Sequence, residues 1–173
     1  FLSAQEITDE HARLTRLLKN KGITVYSNTP LLGTINDTAE AIHELAYRCR
    51  ETGIEFHHLF VAGTPVQQQW NTENPVDLYD VVDIATKVRR EGSGREIPRY
   101  IIKTELGEID FGVTSTLAGE ENELYVKLLP YDFSYYRSMS RDFIWPESAT
   151  IGEDGHPVLP VTGLLKTTAH PLS

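Results

Sequence analysis

Few residues in this chain have both the type and the spacing that chemistry needs. His57 and His58 are adjacent and close a predicted strand running from Ile54 to Val61. In parallel α/β folds the carboxyl ends of strands face the active site. Neighbouring strand residues point to opposite faces, so at most one of the two should line a cavity. That one is either a ligand or base, or a histidine of the interior whose neighbour is solvated. Without a third spaced ligand, two adjacent histidines make a poor metal site. Asn28, just before Thr29-Pro30, falls near the end of another strand. Its amide either caps a loop or hydrogen-bonds a ligand's carboxylate or amide. Lys103 is either an ordinary edge-strand lysine or an amine desolvated enough to form an imine.

Other candidates have blander readings. Trp70, in the run Gln67-Gln68-Gln69-Trp70, either folds back on the core or offers a stacking platform. Gly92-Ser93-Gly94 is too short for a phosphate loop and reads as a helix stop, and no GxGxxG or GxxxxGK pattern occurs. The carboxylates are scattered, with no pair that announces an acid/base couple. Cys49 lies on the apolar face of a predicted helix and reads as inert packing.

The elements that must position these residues alternate helix and strand. Thr8 is a good N-cap, with Asp9 and Glu10 in the first turn, where the helix dipole favours acids. Ala12, Leu14, Leu17 and Leu18 give an apolar stripe, and Gly22 supplies the stop. Ile23 to Tyr26 reads as a strand continuing to Leu32. Asn36-Asp37-Thr38 caps a second helix whose apolar positions are Ala39, Ile42, Leu45, Ala46 and Cys49, ended by Gly53. After the Ile54–Val61 strand and a long connection, Asn74-Pro75 is expected to begin a third helix, closed by Gly92. Such βα units argue for parallel strands with right-handed crossovers. Tyr100–Ile102, Ile109–Phe111 and Leu124–Leu128 then read as antiparallel strands, with turns at Leu106-Gly107 and Ala118-Gly119-Glu120 and a shorter strand over Phe133–Tyr136. From Ser138 no element is convincing; four of the nine prolines lie there, as in an extended tail.

Composition narrows the function classes. The chain has 173 residues, with 16 Lys+Arg against 25 Asp+Glu, a formal charge of −9. That balance argues against a nucleic-acid partner, whose phosphates need basic neutralisation. No apolar run approaches the ~18–20 residues of a membrane span. Forty per cent hydrophobic and 24% charged residues are those of a folded domain. A single cysteine forbids an internal disulfide and fits a reducing, cytoplasmic setting. The opening Phe1-Leu2-Ser3 has no initiator methionine and no signal pattern, and the expectation is a domain cut from a longer protein.

Several stretches, in order, carry a resemblance to a known family. Glu6-Ile7-Thr8 stands at a helix entry. Leu31-Leu32-Gly33-Thr34-Ile35-Asn36-Asp37 is similar to a Leu-Leu-x-Gly-Ile-Asn-Asp run, with the glycine one place early. Thr72-Glu73-Asn74-Pro75-Val76 follows the next strand and loop. Ser93-Gly94, Ile97-Pro98 and Tyr100-Ile101-Ile102 match a Ser-Gly-x-x-(Val/Ile)-Pro-x-Phe-Val-Val segment, and Leu124 to Tyr136 a terminal hairpin. Over roughly residues 1–137 the chain resembles the C-terminal half of lysine 2,3-aminomutase and its radical-SAM relatives.

The resemblance implies a parent with a partial (β/α)6 barrel. Residues 1–98 would be βα units of that barrel, 99–137 an antiparallel β appendage and 138–173 an extended or loosely ordered tail. It also implies S-adenosylmethionine and a 4Fe–4S cluster on a CxxxCxxC loop outside this chain, which together generate a 5′-deoxyadenosyl radical. The chain alone would then be inactive. Asn28 corresponds to a glutamine that contacts S-adenosylmethionine. Pyridoxal phosphate is not expected: the region Lys103-Thr104-Glu105-Leu106-Gly107-Glu108 has no lysine after its glycine. Lys103 replaces a substrate-binding aspartate, which implies an anionic rather than a cationic small-molecule substrate. His57 or His58 would line the same pocket. The expected partners are the rest of the parent chain and further copies of it. An alternative reading from another class is a non-catalytic assembly module.

Overall fold

A computed structural model describes residues 1–61, 67–94, 96–104, 106–110, 115–120, 123–128, 134, 138 and 144–160; for 103, 104, 107, 109, 115–120, 123–128 and 160 it describes the backbone alone. The protein is a mixed α/β structure. Helix α1 (Asp9–Lys19) leads into strand β1 (Tyr26–Leu31), α2 (Ala39–Thr52) into β2 (Glu55–Val61), and α4 (Leu78–Glu91) into β3 (Arg99–Thr104), with the short α3 (Gln68–Glu73) before α4. β1, β2 and β3 are parallel, in that spatial order, and β4 (Gly107–Asp110) turns back antiparallel on β3.

Local sequence explains the boundaries. The Thr8 N–H donates to Nδ1 of His11 (3.1 Å), closing the start of α1. Thr38 Oγ1 accepts from the Ala41 N–H (3.1 Å) at the start of α2, and Gly53 ends it at φ 80°, a backbone state that favours glycine. The third long helix starts later than Asn74-Pro75 predicts. Asp77 caps it, accepting from the Tyr79 N–H (2.9 Å), because the Asn74 carbonyl is taken by the Gly33 N–H (3.1 Å). β1 likewise begins at Tyr26, not at Ile23.

The strand order dictates the layering. Two successive crossovers in one direction put their helices on the same face of the sheet. Leu31, Leu59, Val61, Tyr100 and Ile102 are accordingly buried in one core with Ile42, Leu45, Cys49, Val81, Ile84 and Val88 of α2 and α4. The α1 stripe behaves otherwise. Ala12 and Thr15 are buried, whereas Leu14, Leu17 and Leu18 remain 44%, 51% and 39% exposed. Trp70 does not fold back on the core; it lies on α3, well exposed.

A second sheet has the order β5 (Ser115–Glu120), β6 (Glu123–Leu128), β8 (Pro157–Pro160), β7 (Thr150–Ile151). Ala118-Gly119-Glu120 is therefore inside a strand rather than a turn, Glu120 pairing with Glu123. Part of the segment that sequence reads as an extended tail also forms strands: β8 pairs antiparallel with β6, and Ala149 and Leu159 join the core. The strand expected over 133–136 lies, Ser134 apart, outside the described residues. Among the described residues, no helix is long and apolar enough to cross a membrane.

Candidate functional site

The face of the parallel sheet turned away from α2 and α4 carries the candidate residues. Its geometry comes from a slip in register. Tyr26 and Ser27 pair with Glu55 and Phe56, but Asn28 pairs with His58, so β2 holds one residue more than β1 at this level. This is a β-bulge, and it re-aims a side chain. His57 and His58 consequently share a face, against the alternation that sequence alone predicts. Their rings stack at 3.7 Å with planes 22° apart. Tyr26 stands 5.1 Å from His57, and Phe60 lies edge-on to His58 at 5.5 Å. Asn28 is exposed on this face, beside the row.

His58 is the most perturbed member. Its Nε2 is buried and has no hydrogen-bond partner among the described residues. Burial holds it below the ordinary imidazole pKa, helped by His57 and Arg99 and opposed by Glu108 and Asp110. Arg99 pairs with His58 in register, and its Nε donates to Oδ2 of the buried Asp110 (2.8 Å).

The site departs from expectation in level as well as face. Asn28, His57 and His58 lie toward the amino halves of their strands, not at the carboxyl ends, because Leu59 to Val61 continue β2 beyond the histidines. Lys103 stands four positions beyond the register partner of His58, roughly 13 Å along the sheet at ~3.3 Å per residue. β3 is an inner strand, flanked by β2 and β4, so Lys103 is not an edge-strand lysine; its side chain is outside the described residues. A cavity of about 480 Å³ opens at the amino ends of the strands, and its lining includes His57 but neither Asn28 nor His58.

Sequence reasoning passed over Tyr26, Phe60, Arg99 and Asp110. One signal was present. The buried residues Ile54 and Phe56 keep a period of two, and Leu59 and Val61 keep it again, but three positions separate the pairs. That phase change marks the extra residue.

The cluster implied by the resemblance does not fit this chain's own donors. Cys49 is fully buried in α2, and burial pushes its thiol up to about 11, whereas cluster ligands are thiolates. Among the described residues, no group of three His, Cys, Asp or Glu could hold a metal ion.

No family model matches the chain. It is 27% identical, over 111 residues, to a protein of Aquifex aeolicus (strain VF5) described as "Putative L-lysine 2,3-aminomutase". The match takes in 64% of this chain and 29% of that protein, so the chain spans less than a third of that relative's length. The chain is thus distantly similar to an aminomutase-named protein.

Proposed function

We propose that the chain is one wall of an aminomutase-like radical-SAM barrel, and that the Tyr26–Asn28–His57–His58 face looks into its ligand cavity. One observation carries this reading. Parallel sheets are buried on both faces; among the described residues α2 and α4 pack on one face, while the other buries Ile101 at β3 but presents an exposed amide and half-buried imidazoles at β1 and β2. Progressive strand order with one helical layer is the arrangement of a barrel wall rather than of a doubly wound sheet. The distant similarity to the Aquifex protein points the same way.

In this reading the cluster-bearing part lies elsewhere in a longer protein and supplies the radical chemistry with S-adenosylmethionine. This chain's residues bind and orient. Asn28 offers an amide to S-adenosylmethionine, the histidines line the same wall, and Lys103, near the carboxyl end of β3, supplies a positive charge. The substrate then bears an anionic group. The test is substrate binding by the longer protein. Dicarboxylate or neutral amino acids should bind more tightly than lysine, and Lys103→Ala should remove the preference. Lysine bound more tightly, and indifferent to Lys103→Ala, would sink the charge assignment.

A second reading rests on a separate observation. Leu14, Leu17, Leu18 and Ile23 are exposed together on α1 and the turn after it, and among the described residues β1 is the edge of its sheet. Edges and apolar faces of this kind associate with other chains. Under this reading the chain is an assembly module that self-associates in solution. Light scattering over a dilution series decides it, since a strictly monomeric species at all concentrations contradicts it.

A further inference from the structure

At the amino ends of the strands, the opposite end from Lys103, the α1, α2 and α4 connections converge on the cavity of about 480 Å³. That volume is within the usual range of small-molecule sites. Three cationic side chains line it: Lys19 from the end of α1, Arg50 from the last turn of α2 and Arg99 from the start of β3. His57 adds a fourth nitrogen base, and Glu55 is the one carboxylate in the lining. Within the described lining, cations outnumber carboxylates three to one.

Both arginines are paired with carboxylates that are not among the cavity's described lining residues. Arg50 pairs with Glu96 through one terminal nitrogen, and Arg99 pairs with Asp110 through Nε. Glu96 and Asp110 are only 13% and 4% exposed and do not line the cavity, whereas Arg50 and Arg99 remain 54% and 52% exposed. A buried carboxylate that engages one edge of a guanidinium fixes its plane and leaves the remaining N–H donors for a ligand. Lys19 makes one long contact, Nζ to the Gly53 carbonyl at 3.4 Å, and keeps donors to spare.

We infer that this cavity binds a small anion of the phosphate type, held by Lys19, Arg50 and Arg99. The cavity borders the Asn28–His58 face and shares His57 and Arg99 with it, but the proposal stands on the cavity's own lining and not on the barrel reading. Glu55 in the lining sets a second feature: it repels further negative charge and favours a ligand that ends in a donor group.

The 173-residue chain is titrated with inorganic phosphate, whose O–H can face Glu55, by calorimetry at low ionic strength. One saturable site is expected, weakened by added salt. Lys19 and Glu55 are both exposed, so Lys19→Gln and Glu55→Gln leave the fold intact, which the urea midpoint checks. Lys19→Gln should weaken binding about fivefold and Glu55→Gln should tighten it by a similar factor, the scale of a partly screened charge contact. Absence of saturable binding overturns the proposal. So does an affinity that either substitution leaves unmoved or shifts in the other direction.

Discussion

On one face of the parallel sheet Thr29, Leu31, Leu59, Val61, Tyr100 and Ile102 are buried beneath α2 and α4; on the other, Asn28 is exposed and His57 and His58 stack half-buried. The first face is a packing surface. Its residues are mostly apolar, and the 0% exposure of Leu31, Leu59, Val61 and Ile102 shows how completely the helices close over them. The second face leaves a polar atom, His58 Nε2, buried without a partner, and it interrupts the ladder with a bulge. Natural sheets spend stability in this way next to binding sites. The contrast teaches that close packing is confined to one side of the strand, which leaves the other side free for the ligand role proposed above.

The largest expected effect breaks the packing side. Leu59→Ala should cost about 3 kcal/mol of unfolding free energy, since it empties a site that no solvent reaches. His58→Ala, one residue away, should cost less than about 1 kcal/mol. Urea denaturation of the two variants measures the difference. Equal losses would mean that the histidine face is also structural.

The next effect concerns the loop that joins the two sides at the end of β1. A Cβ on Gly33 would stand 2.2 Å from the Pro75 carbonyl oxygen, inside any allowed contact. Gly33→Ala should therefore destabilise by about 1–3 kcal/mol through forced backbone shifts. Thr34, a β-branched residue, sits at φ 64°, in the left-handed region. It occupies the position where the family's run has its glycine. Thr34→Gly should stabilise by roughly 0.5–1 kcal/mol, the relief of left-handed strain less the added chain entropy of glycine. A destabilised Thr34→Gly would show that the side chain holds the loop.

The smallest effect is a pH dependence on the second face. His58 resists protonation in the folded state, while in the unfolded chain it titrates near 6.5. Its contribution is fully present above that value and is lost as the pH falls from there toward the lower folded value. Stability should decline over that interval, and His58→Asn should flatten the decline. Urea midpoints between neutral and mildly acidic pH give the comparison.

Much of the packing side was legible in sequence. The spacing of Ala39, Ile42, Leu45, Ala46 and Cys49 marks the buried face of α2, all five being buried. The Thr38 cap and the Gly53 stop are local chemistry and fall where their side chains predict. The α1 stripe misled because helical periodicity shows amphipathicity, not what covers it, and nothing among the described residues covers Leu17. The candidate site was less legible because a bulge is a relation between two strands: Asn28 gives no sign that it faces two histidines. β7 and β8 escaped for a similar reason. They are short, one is bounded by prolines, and pairing with β6 rather than intrinsic propensity makes them strands.

The most direct test of the account asks whether the helix-free face meets a ligand. S-adenosylmethionine binding to the longer protein is measured by equilibrium dialysis for the native sequence, Asn28→Ala and Tyr47→Ala. Tyr47 is an exposed residue of α2, on the packing side's outer surface. Loss of one amide hydrogen bond to the ligand predicts about a tenfold weakening for Asn28→Ala, with Tyr47→Ala unchanged. Native affinity in Asn28→Ala, or an equal loss in both variants, would contradict the claim that this face is a ligand wall.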